Sequence, residues 1–133
     1  MRKVLSLGAL AVMFATTTQA APPSGIYQTE RGDTGGFLHV VMGPCAKAPA
    51  KACGTIKSAF DKNNKPRGDY EHAGKPIVWD MSENSDGSFS GGKIWAPDRD
   101  KTYRSKMSVD GSRLKVSGCI GPICRSQSWQ KVK

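Results

Sequence analysis

TYRSKMSVDGSRLKVSGC, residues 102–119, reads as two strands and a tight turn. Tyr103, Ser105, Met107 and Val109 alternate with Thr102, Arg104, Lys106 and Ser108. That is the period of a strand with one face buried. Asp110-Gly111 is a strong two-residue hairpin signal, and the return strand offers Leu114 and Val116 inward.

The same grammar extends outward. Strands are expected at residues 25–30, 37–42, 53–60, 77–81, 89–96 and 126–132, in addition to the hairpin. FLHVVM (37–42) is apolar on both faces, so it is expected to be covered on both sides or nearly so. The Gly91-Gly92 pair marks a bulge, a bend or a close backbone approach. Residues 61–76 are polar and rich in Gly, Pro and Asn, and form the longest loop. No amphipathic helix is evident. Seven or eight short strands in an antiparallel meander must hide their edges, and closure does so most completely. The expected fold is all-β, a small antiparallel up-and-down barrel, with a sandwich as the alternative.

MRKVLSLGALAVMFATTTQA, residues 1–20, has a basic start, a short apolar run and a small-residue ending with Thr18 and Ala20. It reads as a signal peptide cleaved after Ala20, with residues 21–133 a single domain. The apolar run is too short to span a bilayer, so the mature form is expected to have no transmembrane segment. The net charge of +9 becomes +7 when Arg2 and Lys3 leave with the leader. Its basic residues are scattered, and an exported protein has little occasion to meet nucleic acid. Positive charge fits an acidic protein or an anionic envelope component instead.

Cys45, Cys53, Cys119 and Cys124 all fall in the mature chain, which reads as two disulfides in an exported domain. Of three connectivities, Cys45–Cys53 with Cys119–Cys124 is favoured, because Gly121-Pro122 turns the chain between the second pair. The spacing fits neither a closed zinc site nor a C-x-x-C redox motif.

Three segments, GKPIVWDM, GGKIWAPDRDKTY and LKVSGCIGPICRSQSWQKV, resemble in order and spacing the bacterial domain-of-unknown-function family numbered 2147. PCAKAPAKACGTI resembles an expanded form of that family's paired-cysteine segment. The resemblance implies an exported, lipocalin-like (calycin-like) barrel acting as a carrier or sensor, in a family with no agreed biochemical activity. Fold analogy does not itself confer function.

Candidate ligand-binding residues follow from placing the aromatic strands in a barrel. Trp79, Met81, Trp95, Tyr103 and Trp129 would line an interior suited to an apolar or amphipathic molecule, or would simply fill it. Arg125, directly after Cys124, would stand at the mouth and offer a fork for a carboxylate or phosphate. Asp98-x-Asp100 does not continue as a calcium loop and reads as a polar turn. No catalytic motif is present, so no catalytic residue, cofactor or metal is expected; His39 and His72 stand near no nucleophile motif. The functional expectation is a periplasmic or secreted, non-catalytic binder of a small amphipathic or hydrophobic ligand. The alternative is a ligand-free interaction module acting through its basic exterior.

Overall fold

The computed structural model describes residues 22–133, together with Gly8 and Ala11; the expected signal peptide otherwise lies outside the described residues. Eight strands follow in order: β1 (Gly25–Gln28), β2 (Phe37–Pro44), β3 (Ala52–Phe60), β4 (Pro76–Glu83), β5 (Phe89–Ala96), β6 (Lys101–Asp110), β7 (Arg113–Ile120) and β8 (Ile123–Lys131). Each pairs antiparallel with its neighbour, and β8 returns to β1, closing the barrel. Every expected strand is present, most within one or two residues of its expected limits.

The hairpin between β6 and β7 differs by one residue from expectation. Asp110 pairs with Arg113, so the two-residue loop is Gly111-Ser112, not Asp110-Gly111. Gly111 has φ 59°, which supplies the positive φ that such loops demand at their first position. Gly121-Pro122 repeats the arrangement between Ile120 and Ile123, again with a positive φ of 55° at glycine.

Strand alternation aims Tyr27, Val40, Met42, Ile56, Val78, Met81, Phe89, Met107, Leu114, Val116 and Trp129 into one core, each at most 3 % exposed. Glycines on the inner face make room for these larger side chains. A Cβ on Gly54 would meet the Met42 sulfur and Val40, and one on Gly92 would meet Met81. Thus the barrel of this size is packed with side chains. The seam is its thinnest part: β1 pairs with β8 through Tyr27 with Lys131 and Gln28 with Gln130, and Ile26 continues it by backbone hydrogen bonds with Val132 and Lys133.

Both expected disulfides are present, Cys45–Cys53 and Cys119–Cys124. The first ties β2's exit to β3, and the second bridges β7 and β8 next to their turn. Two structural disulfides suggest an oxidising, extracytoplasmic environment. No helix among the described residues is long and apolar enough to cross a membrane.

FLHVVM is covered on its outer face only in part, since Val41 is 43 % exposed; a register shift between His39 and Val40 skips Lys57 of β3 and puts Phe60 on the outer face. Leu38, Val40 and Met42 face the core, leaving Phe37 and His39 outside with Phe60. There Phe37 stacks on Phe60 at 4.9 Å, His39 lies 4.5 Å from Phe60, and the Arg31 guanidinium covers Phe37 at 5.0 Å. Burial, and then the Lys57 charge, lower the His39 pKa. A lowered folded value favours the neutral ring. Its stabilisation is therefore full above the ordinary value near pH ~6.5 and is lost as pH falls through the folded value. The melting temperature should decline modestly between about pH 8 and about pH 5, and His39→Gln should flatten that decline. Thermal melts across this range check it; parallel curves would remove His39 as the source. Asp61 and Asp86 also have lowered pKa values, held mainly by hydrogen bonds from the Lys65 backbone and the Ser88 side chain respectively. Their contributions decay only below about pH 4, outside this window.

Candidate functional site

Two extra-residue irregularities determine which aromatics reach the surface. Asp80 adopts φ 57° and Gly91 φ 78°, each breaking the alternation of its strand. Val78 faces the core opposite Ile94, so its neighbour Trp79 faces outward opposite Lys93. The irregularity at Asp80 then returns Met81 to the core. On β5, Gly92 and Ile94 face inward while Lys93 and Trp95 face outward. The expectation that Trp79 and Trp95 line the interior is therefore corrected: both lie on the outer wall. Met81, Tyr103 and Trp129 do face inward. Met81 and Trp129 are fully buried core residues, whereas Tyr103 is partly exposed near the rim. Arg125 lies opposite Gly118, exposed, at the end of the barrel that carries the Gly121-Pro122 turn. The six candidates do not converge on one interior site.

A groove of about 560 Å³ opens on the outer wall instead. It is lined by Cys53, Gly54, Thr55, Lys75, Pro76, Val78, Trp79 and Trp95, and its surface is mainly apolar. It forms where the β3–β4 ladder shifts register twice, between Ala52 and Thr55. Those shifts leave the strands locally out of step, and the two tryptophans wall the result. Apart from the tryptophans, the lining is missed by the alternation argument, because the register shifts have no sequence mark except Gly54 and Pro76.

Trp95 is held from several sides. Its indole N–H donates to the Asp100 carboxylate at 2.9 Å. His72 meets it edge-on at 4.9 Å, and the Lys75 ammonium lies 5.8 Å from the ring centre. Lys75 Nζ is in turn 3.1 Å from His72 Nδ1. The polar turn after β5 thus also positions the indole, since Asp100, at a positive φ of 46°, returns its carboxylate to the strand it has just left. The long loop contributes His72, with Tyr70 against it at 5.3 Å. Burial, with a smaller effect of Asp98, raises the Tyr70 pKa, keeping the phenol neutral.

A second, polar hollow of about 280 Å³ adjoins this loop, lined by Arg67, Asp69, Tyr70, Glu71, His72, Pro97 and Asp98. Cys45, Cys53 and Asp80 bring three donor atoms within 4.8 Å. The two sulfurs are spent on each other as a disulfide, so they cannot act as thiolate ligands. Chemically, the groove is equipped to hold an apolar body between indoles and to meet an anionic end at Lys75.

Comparison with family models matches residues 25–131 to a family described as "Uncharacterized protein conserved in bacteria (DUF2147)". No curated protein matches the chain in sequence. Among solved structures the chain is similar to protein HP1028 from the human pathogen Helicobacter pylori, described as belonging to the lipocalin family. The TM-score is 0.63 at 16 % identity, over 83 % of this chain and 82 % of that one. At that identity the likeness concerns the fold alone.

Proposed function

The chain belongs to the bacterial family described as uncharacterized protein conserved in bacteria (DUF2147), and on that premise we propose that it is an exported, non-catalytic binding protein for a small amphipathic molecule. Lipocalin-like barrels are suited to small-molecule binding, but the filled interior here directs attention to the outer wall. The observation that carries the reading is the apolar groove between Trp79 and Trp95, with Lys75 at its edge. The ligand class is a short apolar chain or ring with one anionic end. The indoles take the apolar part, and the lysine ammonium takes the charge. Residues 1–20 serve as the export leader and residues 21–133 as the mature domain in this proposal.

The test is titration of the processed protein with laurate below its micellar range, read by tryptophan emission and calorimetry. Saturable binding is expected, weakened at least about tenfold by Trp95→Ala, the loss of roughly 1.4 kcal/mol. Arg125→Ala, at the barrel end, should leave the affinity unchanged. Unchanged affinity in Trp95→Ala would remove the groove as the site. Absence of any saturable signal would remove the reading for this ligand class.

A further inference from the structure

A different part of the surface combines charge with exposed apolar side chains. The outer faces of β5, β6 and β7 present Lys93, Arg104, Lys106 and Lys115, all exposed. Lys93 stands directly opposite Arg104 on the adjacent strand. Side chains so placed have Cβ atoms only about 5 Å apart, and like charges there are destabilising. Lys106 and Lys115 are diagonal neighbours, since Lys106 pairs with Ser117 and Ser108 with Lys115. No carboxylate lies within 4.0 Å of any of the four, the one such contact among the described residues being His72 with Glu71. The acids nearest along these strands are Asp98 and Asp100, in the turn between β5 and β6, and Asp110, opposite Arg113 at the end of β6.

The turn at the end of this band is apolar, its two isoleucines one position out of phase with Cys119 and so on the opposite face of the hairpin from Arg104. Ile120 and Ile123, paired across the Gly121-Pro122 loop, are 68 % and 69 % exposed, the highest values among the large apolar residues. The Cys119–Cys124 disulfide lies immediately behind them. Arg104 donates to the Gly121 carbonyl oxygen, tying the basic band to the tip. A cross-linked turn carrying two isoleucines is costly in water unless something covers it, and its stiffness reduces the entropy lost when that happens.

We infer that this wall docks on an anionic lipid bilayer, with the Ile120–Ile123 tip entering the interface and Lys93, Arg104, Lys106 and Lys115 lying over the headgroups. Charge complementarity selects the occupant. Each lysine or arginine near an anionic surface favours binding, and the apolar tip adds burial that a soluble polyanion cannot offer. The two parts together fit a bilayer better than an acidic polysaccharide, which would engage the band alone. The inference stands apart from the groove, since Trp79 and Trp95 are not needed for docking.

The experiment is co-sedimentation of the processed protein with vesicles of phosphatidylcholine and with vesicles equimolar in phosphatidylcholine and phosphatidylglycerol. Binding is expected only to the anionic vesicles and should weaken with salt. Lys106→Glu/Lys115→Glu should reduce partitioning at least about tenfold. Ile120→Ser/Ile123→Ser should reduce it several-fold while keeping the salt dependence. Lys47→Glu/Lys133→Glu carries the same change in net charge at the other end of the barrel and should retain most binding. Circular dichroism confirms that each variant is folded. An equal loss in the Lys47/Lys133 variant would overturn the inference in favour of net charge. No loss in the isoleucine variant would overturn it in favour of headgroup attraction alone, and no binding at low salt would overturn it outright. Laurate titration of the same variants should be unaffected, which separates failure of docking from failure of the groove.

Discussion

Trp129→Ala should cost about 3–5 kcal/mol, the range for removing a fully packed large aromatic from a core. Trp129 is 1 % exposed and pairs across the ladder with Leu114. Its indole N–H donates to the Gln127 amide oxygen at 3.0 Å, so the polar atom is satisfied as well as buried. Its position amplifies the effect. It lies on β8 two residues from Lys131 and next to Gln130, the two residues of the strand that pair with β1. Few ladder bonds close the seam, so side-chain packing there carries much of the closure. Domains of this size have roughly 5–15 kcal/mol in total, and a loss of this order should lower the melting temperature by about 10–25 °C. Denaturant unfolding followed by circular dichroism measures it. Trp129→Phe should recover more than half, because the ring still fills most of the volume. A loss below about 1 kcal/mol in the alanine variant would mean that the core collapses around the gap or was loosely packed at the seam.

The strands and closure of this barrel are legible in the sequence because local chemistry determines them. Alternation in residues 102–109, glycines at turn positions and the paired cysteines each act over a few residues. The facing of a side chain depends on every residue between it and the last fixed point. One unpaired residue reverses it. Asp80 illustrates this. Nothing in IVWDM marks an aspartate with φ 57°, yet that conformation separates outward Trp79 from inward Met81, which simple alternation puts together. In 102–109 no such residue intervenes, and Tyr103, Ser105 and Met107 take the expected face. The groove is less legible still, since it arises from two register shifts between β3 and β4. Such shifts are settled by how distant strands pack. Asp100, which holds Trp95, reads from sequence as a turn residue, and it is one; its hold on the indole appears only when the turn places it there.

Gly92→Ala should destabilise the barrel by about 3 kcal/mol, at the upper end of ordinary overpacking, while its neighbour Gly91→Ala should cost about 1 kcal/mol. In sequence the two glycines together signal a bulge or a close approach, and the structure divides those roles between them. Gly91 has the positive φ, with open space where a Cβ would stand, so substitution there strains only the backbone. Gly92 is buried, and a Cβ would collide with the Trp79 carbonyl oxygen and lie 2.7 Å from the Met81 sulfur. The sulfur belongs to a flexible side chain and can retreat. The carbonyl is main chain, so β4 itself must move. That distinguishes Gly92 from Gly54, where the nearest atoms are the Met42 sulfur and a Val40 methyl. Because the displaced carbonyl belongs to Trp79, Gly92→Ala should also shift the groove wall, weakening laurate binding along with stability. Adding Met81→Ala should not rescue it, since the backbone collision remains and a core side chain is lost. Equilibrium urea unfolding of both single variants provides the measurement. Equal losses at positions 91 and 92 would show that backbone strain governs the pair and that β4 yields to the extra carbon.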